Sequence, residues 1–315
     1  MYINGSIQSI GTIAEFILYI NMLTWPVASF GWVSSMVQEA EASQKRINEF
    51  LKIQPDILNL HPQPTVIEGN IEFKNVSLTY DDTNIEAINN ISFSVKKGET
   101  LAILGKTGAG KSSVLSLICR LYDSSNGEIL IDGKPISQVN LYDLRNSIGT
   151  VPQDAFLFSD TIKNNIKFGN ENASDDQVIL AAKKAVVHDN IMQFNNAYET
   201  VLGERGITLS GGQKQRVSIA RALIKDAPIL LLDDCLSAVD TETEEIILTH
   251  LMDFCKDKTT LIVSHRVSSA KNADKIIVLD QGKIIQQGTH NQLINQEGYY
   301  AELYLKQLSE KEMSE

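Results

Sequence analysis

The chain has 315 residues, 43% hydrophobic and 21% charged, an ordinary composition for a folded protein with room for one large domain or two smaller ones. Its formal charge of −11 disfavours nonspecific binding to nucleic acid, which needs basic surface, and no nucleic-acid partner is expected. Three cysteines, Cys119, Cys235 and Cys255, lie far apart with no C-x-x-C pair, and read as reduced, small apolar side chains rather than as a disulfide framework or a zinc site.

The first predicted element is the stretch from Ile10 to Val37, largely apolar and interrupted by Glu15, Asn21 and Pro26. As a helix it would be roughly 42 Å long, enough to cross a hydrocarbon core of ~30 Å. A signal peptide wants a basic leader, yet no Lys or Arg precedes Lys45. The same asymmetry, with Lys45, Arg46 and Lys52 following, places the start of the chain outside and the rest in the cytoplasm of a cell-membrane protein. A buried soluble helix is the alternative reading. Glu15 and Asn21 imply that the helix faces other helices as well as the lipid bilayer. One helix cannot enclose a pathway, so further membrane helices are expected outside this chain. Ser34 to Leu51 continues with helical periodicity as a cytosolic extension, and Pro55, Pro62 and Pro64 mark a linker. The expected organisation is a membrane unit at 1–54, a linker at 55–68, a main domain at 69–306 and a tail at 307–315.

Within the main domain, Ile71 to Tyr80 and Ile91 to Val95 read as strands, and Thr100 to Leu104 as a buried strand entering a glycine-rich loop. A helix from Ser112 to Leu121 leaves that loop. Asp132-Gly133 and Gln281-Gly282 are hairpin-turn signals. Residues 160–225 are mostly helical in pattern. From Ile229 the pattern runs strand, helix, strand, helix, strand, which specifies an α/β sheet, and a final helix starts at Tyr299 and reaches about Leu308.

The loop between that strand and helix reads Gly105-Lys106-Thr107-Gly108-Ala109-Gly110-Lys111-Ser112, followed by Ser113. Its glycines let the backbone turn its N–H groups toward phosphate oxygens. Lys111 adds a point charge at the β/γ oxygens, and the Ser112 hydroxyl suits Mg²⁺. A glycine-rich turn is the bland alternative, but a strand before and a helix after are the context a phosphate loop needs. Ile229 to Leu232 is an apolar run ending in Asp233, the place for a metal-side carboxylate. Leu209-Ser210-Gly211-Gly212-Gln213 opens another helix. Ser210, two glycines and a helix N-terminus make a second anion site, or simply a capped helix start. One phosphate loop serves one nucleotide, so a second γ-phosphate receptor implies a nucleotide held by another subunit.

These motifs, in this order, resemble the nucleotide-binding part of an ABC transporter of the exporter type, MsbA-like and multidrug-like, over nearly the whole chain. The resemblance implies a P-loop ATPase core of α/β class, with a β subdomain and a helical signature subdomain, preceded by one transmembrane helix. It implies ATP and Mg²⁺ as cofactors. Tyr80 matches the aromatic that stacks on adenine. Residues 105–112 match Walker A, and Asp233 closes Walker B. Gln153, in Val151-Pro152-Gln153, matches the Q-loop glutamine that touches Mg²⁺ and senses the membrane domain. Leu209 to Gln213 matches the signature, Ser237-Ala238-Val239-Asp240 the D-loop, and His265 the switch histidine at the γ-phosphate. Thr200 to Gly206 resembles the exporter loop that contacts the coupling helices. The first 50 residues resemble the last transmembrane helix of an exporter half, and on that resemblance the chain is expected to be a fragment of one.

One position departs from the family. Members with strong ATPase activity carry Glu after the Walker B Asp, where this chain has Asp234. That carboxylate is expected to orient the attacking water, and one methylene fewer withdraws its oxygens by roughly 1 Å, a misplacement that can cost ~10²-fold in rate. A compensating backbone shift is the alternative. An impaired own site beside an intact signature loop is the pattern of one half of a heterodimer. The implied activity is ATP-driven export of a lipid, drug or peptide. A soluble non-transport ATPase of the same family and a subunit without turnover are the rival readings.

Overall fold

In the computed structural model the described residues are 10–206, 209–235 and 241–312, and the D-loop match at 237–240 lies outside them. The chain divides into two compact units, one ending at Asp56 and one beginning at Ile57.

The first unit is a single helix, α1 (Ile10–Lys52), unbroken through Pro26. Around the proline ring, Thr24 Oγ1 donates to the Ile20 carbonyl and Ser29 Oγ to the Pro26 carbonyl, so local hydroxyls occupy backbone oxygens there. The helix is long and apolar enough to cross a membrane. No side chain in it is buried.

Among the described residues the second unit contains ten strands: β1 (Ile71–Tyr80), β2 (Ile85–Val95), β3 (Thr100–Gly105), β4 (Asn126–Ile131), β5 (Lys134–Pro135), β6 (Ile148–Val151), β7 (Ile229–Asp233), β8 (Thr259–Val263), β9 (Lys275–Asp280) and β10 (Lys283–Gly288). Its helices are α2 (Lys111–Ile118), α3 (Leu141–Asn146), α4 (Ile162–Lys167), α5 (Asp175–Lys184), α6 (His188–Met192), α7 (Gly211–Ile224), α8 (Thr241–Cys255), α9 (Val267–Ala270), α10 (His290–Leu293) and α11 (Tyr299–Glu312).

Two sheets organise this unit. A four-stranded antiparallel sheet runs β2-β1-β4-β5, and a six-stranded sheet runs β10-β9-β3-β8-β7-β6. In the larger sheet β9, β3, β8, β7 and β6 are parallel, with β10 added antiparallel at the edge. The central strands are covered on both faces and are accordingly rich in apolar residues: every residue of β3 and β8 is buried, the threonines Thr100, Thr259 and Thr260 included. One core lies between the two sheets and α2, built on Phe73, Leu101, Ile103, Leu117 and Ile118. A second joins β7 to helices α4, α5 and α7, and a third joins β3 and β9 to α9 and Tyr300 of α11.

Both expected hairpin turns form. Asp132 and Gly133, and Gln281 and Gly282, all have positive φ, the conformation a tight two-residue hairpin requires. Three boundaries differ from the sequence reading. Strand β2 starts at Ile85 rather than Ile91, because its pairing with β1 continues past register shifts, with Asn90 in a left-handed conformation. Helix α2 stops at Ile118 rather than Leu121: Arg120 takes φ 47°, and Leu121 N–H bonds back to the Ser116 carbonyl. Helix α11 continues to Glu312, so residues 307–312 of the expected tail are helical. The proline-marked stretch is also tied down. Asn59 and Thr65 bond Asn140 and Asp143, and the Asp132 carboxylate accepts from the backbone of Glu68, Gly69 and Asn70.

Candidate nucleotide site

The loop after β3 is shaped by positions that only glycine fits. Gly105 has φ 151°, and a Cβ there would lie 2.3 Å from the Leu279 carbonyl oxygen; Gly110 has φ 97°, and its Cβ would lie 2.3 Å from that of Ala87. Between them the chain turns into α2, whose N-terminus has no side-chain cap. Its leading N–H groups are therefore left for a ligand. Lys111 folds back over the loop, with Nζ donating to the carbonyls of Gly105 and Lys106, each at 2.9 Å. Burial lowers its pKa, and the neighbouring Asp234 and Asp233 carboxylates oppose that shift.

A cavity of about 430 Å³ opens beside this loop. Its wall gathers Tyr80 from the end of β1, Thr107, Gly108, Gly110, Lys111, Ser112 and Ser113 from the loop and α2, Gln153 from the segment after β6, Asp233 and Asp234 from the end of β7, and His265 from the segment after β8. Parallel strands explain the convergence, because the ends of β3, β6, β7 and β8 fall along one edge of the sheet. Of the expected nucleotide-binding residues in the loop, Gly105, Lys106 and Ala109 do not line the cavity: Ala109 is buried, and Lys106 is exposed with Nζ over the Tyr299 ring. Residues Ile85, Glu86, Ala87, Val263, Gln281 and Gly282 also line the cavity and were not among the expected site residues. Gln281-Gly282 was legible only as a turn; the Gly282 N–H bonds the Ala109 carbonyl and so attaches the β9–β10 hairpin to the loop.

The carboxylates differ in surroundings. Asp233 is partly buried, and burial raises its pKa while a hydrogen bond from Ser112 lowers it; Asp234 raises it and Lys111 lowers it further. Asp234 sits at φ 44°, its N–H bonded to the Val263 carbonyl, and its carboxylate meets the His265 ring: Nδ1 lies 2.8 Å from Oδ1 and 3.0 Å from Oδ2. Tyr80 is held by two contacts. Its hydroxyl lies 2.9 Å from Ser113 Oγ, and its ring meets Tyr122 edge-on at 4.9 Å between centroids. The Gln153 side chain is exposed, and its carbonyl accepts from Gln215 Nε2 of α7 at 3.3 Å.

Residues 209–213 do not line this cavity. Ser210 and Gln213 form a reciprocal capping box at the start of α7: Ser210 Oγ accepts from the Gln213 N–H, and Gln213 Oε1 from the Ser210 N–H. The structure thus gathers the phosphate loop, Gln153, Asp233, Asp234 and His265, and leaves the signature loop apart from them. Residues 200–202 pair with 160–162, and Gly206 packs on Leu157, four residues beyond Gln153. A second cavity of about 390 Å³ shares the Ser112 and Asp233 wall and extends to Cys119, Arg145, Pro152 and Lys225.

Residues 88–237 match the family model described as ABC transporter. An uncharacterized ABC transporter ATP-binding protein of Bacillus subtilis (strain 168), YknU, is 45% identical over 93% of this chain and 51% of its own length. A probable multidrug resistance ABC transporter ATP-binding/permease protein of the same organism, YheI, is 41% identical over 95% of this chain and 51% of its own. A putative multidrug export ATP-binding/permease protein of Staphylococcus aureus (strain NCTC 8325 / PS 47) is 44% identical over 96% and 52%. Among solved structures, a bacterial Atm1-family ABC exporter with ATP bound superposes with a TM-score of 0.83 at 38% identity, covering 95% of this chain and 53% of that one. The chain spans about half the length of the relatives it matches.

Proposed function

This chain belongs to the ABC transporter family, and from that premise we propose that it is the ATP-binding and ATP-hydrolysing part of a multidrug-type exporter half, with its nucleotide site in the cytoplasm. The observation that carries the reading is the convergence of a phosphate loop, two carboxylates, Gln153 and His265, from four separate segments, on one cavity. Tyr80 would stack on adenine, and the loop N–H groups and Lys111 would hold the phosphates. Lys111 already lies over the loop, so nucleotide binding exchanges its two backbone acceptors for phosphate oxygens.

The residues suit Mg²⁺. Ser112 and Asp233 present hard oxygen donors already hydrogen-bonded to one another, with Gln153 on the same wall. When bound with ATP, the ion neutralises charge on the phosphates. Asp234 would orient the attacking water, and His265 would contact the γ-phosphate. In this arrangement both Asp234 oxygens are within reach of one ring nitrogen, so the histidine would compete with an attacking water for the carboxylate. That contact, together with the shorter side chain, supports a weak own site.

The signature loop outside the cavity supports use in trans. Ser210 and the N-terminus of α7 would serve the nucleotide of a second half in a head-to-tail dimer. A heterodimer with a half whose Walker B ends in Asp-Glu accounts for both features. Closure on ATP and reopening after hydrolysis would reach the membrane helices through Gln153 and residues 200–206, which pack around the same post-β6 segment. The names of the relatives favour a drug-like cargo; membrane fractionation of the expressed chain discriminates against a soluble non-transport ATPase.

The test is ATP turnover at saturating Mg-ATP for the wild type, Asp234→Glu and Lys111→Ala, alone and with candidate second halves. A rise of about ten-fold or more with Glu is expected, within the ~10²-fold that a misplaced group can cost. Equal wild-type and Asp234→Glu rates, both well above Lys111→Ala, would remove the weak-site heterodimer and leave a homodimeric exporter.

A further inference from the structure

We propose that Gln307 of the terminal helix is a positioning residue for the switch histidine, acting through the backbone that carries it. The side-chain amide spans the segment from both sides: Nε2 donates to the His265 carbonyl at 2.9 Å, and Oε1 accepts from the Val267 N–H at 2.8 Å. A carbonyl can only accept and an N–H can only donate, so one orientation of the amide satisfies both.

The same segment is braced by the Arg266 N–H on Ser264 Oγ and by the buried Val267 side chain, and Gln307 adds a hold on the backbone on either side of Arg266. His265 lies beyond the end of β8, and Val267 is the first residue of α9, whose Arg266 N-cap supplies no side-chain cap. The Val267 N–H is one of the orphan donors of a helix start, and Gln307 satisfies it from another element. On its other face, the ring of His265 meets Asp234. The histidine is therefore held between a carboxylate that hydrolysis requires and an amide that takes no part in the chemistry.

The base of this clamp is rigid. Tyr300, seven residues before Gln307 and on the same helical face, is fully buried. Its hydroxyl lies 2.7 Å from His290 Nδ1, and its N–H donates to Gln286 Oε1 at 3.0 Å. Helix α11 thus carries the anchoring of the β9–β10 edge to the histidine. Losing the amide leaves the histidine ring in place chemically but frees its backbone, so the effect falls on γ-phosphate sensing and not on the hold on the base or the inner phosphates.

This inference rests on the reading of His265 as the γ-phosphate contact, and the experiment separates the two. Affinities for ATP and ADP, and kcat with KM for ATP, are measured on the full chain as wild type, Gln307→Ala, Gln307→Glu and Lys111→Ala. Gln307→Ala is expected to leave ADP affinity unchanged and to lower ATP affinity by about five-fold or more, the effect of one lost net hydrogen bond or more. Gln307→Glu retains an acceptor for Val267 but sets a carboxylate against the His265 carbonyl. It should therefore keep the Val267 amide protected from hydrogen exchange while losing ATP-over-ADP preference as the alanine variant does. Parallel loss of ATP and ADP affinity would make Gln307 a general support of the fold and overturn the proposal, as would wild-type discrimination in both variants. If Lys111→Ala binds ATP as the wild type does, the nucleotide-site reading itself fails. If the wild type binds ATP and ADP alike, the role of His265 falls, and this proposal with it.

Discussion

Tyr80 ends β1 with its ring already fixed, by Ser113 on one side and Tyr122 on the other. If the ring stacks on a base as proposed, it is held in advance and little ordering would remain on binding. Tyr80→Ala should weaken ATP binding by about 1–3 kcal/mol, the usual worth of an aromatic–base stack, while Tyr80→Phe keeps most of the affinity; titration of both variants with ATP checks this. The residue meant nothing alone in the sequence, where a Tyr after a strand is ordinarily surface or half-core, and it drew meaning only from the ordered set of motifs around it. Cys119 makes a separate point. Burial pushes its thiol up to about 11, against the pull of Arg145 and Lys225, so at pH 8 it is protonated in the folded chain and reacts as a thiol only weakly. Its labelling by iodoacetamide at pH 8 should be slowed by about 100-fold relative to the denatured chain, and should accelerate as the pH approaches 11; rapid labelling of the native chain at pH 8 would contradict the burial that raises it.

At the scale of elements, the segment after Gln153 is organised by one buried amide. Asn165 of α4 donates to the carbonyls of Phe158 and Thr161, accepts from the Phe158 N–H, and accepts from Arg221 of α7. Arg221 in turn lies over the Phe158 and Phe168 rings. Asn165→Ala would strand these donors and acceptors in a site that is 1% exposed, at a cost of about 1–3 kcal/mol per unsatisfied group. A fall in thermal midpoint is expected, and an unchanged midpoint would sink the account. None of this was readable from helical periodicity, which marks the outline of residues 160–225 but not which polar side chain is turned inward. The same limit produced the late start assigned to β2: Asn89-Asn90 breaks the alternation, and only pairing with β1 carries the strand back to Ile85.

For the whole molecule, the division at Asp56 and Ile57 separates a helix with no buried side chain from a domain with three packed cores. Residues 57–315 expressed alone should be soluble and bind ATP with the affinity of the full chain, while the full chain should partition into the membrane fraction. Sedimentation of both from the same lysate, followed by nucleotide titration, tests the pair of statements. Aggregation of residues 57–315 would show that the domain needs α1 for its own stability.

The sequence by itself determined the membrane-length helix, the phosphate loop, the parallel-sheet pattern and the order of the motifs. These are local: apolar length, glycine spacing and the alternation of strand and helix patterns ride on neighbouring residues and need no tertiary contact to be read. Only the tertiary structure decided that Asp234 faces His265, that Ser210 and Gln213 cap α7 away from the cavity, that Gln281-Gly282 lines the cavity wall, and that Gln307 lies within a helix gripping the backbone of His265 and Val267. Apart from the capping box, which is local and whose distance from the cavity alone is tertiary, each of those is a contact between groups separated by tens of residues, chosen by packing against the sheet. A linear pattern has no term for such a choice.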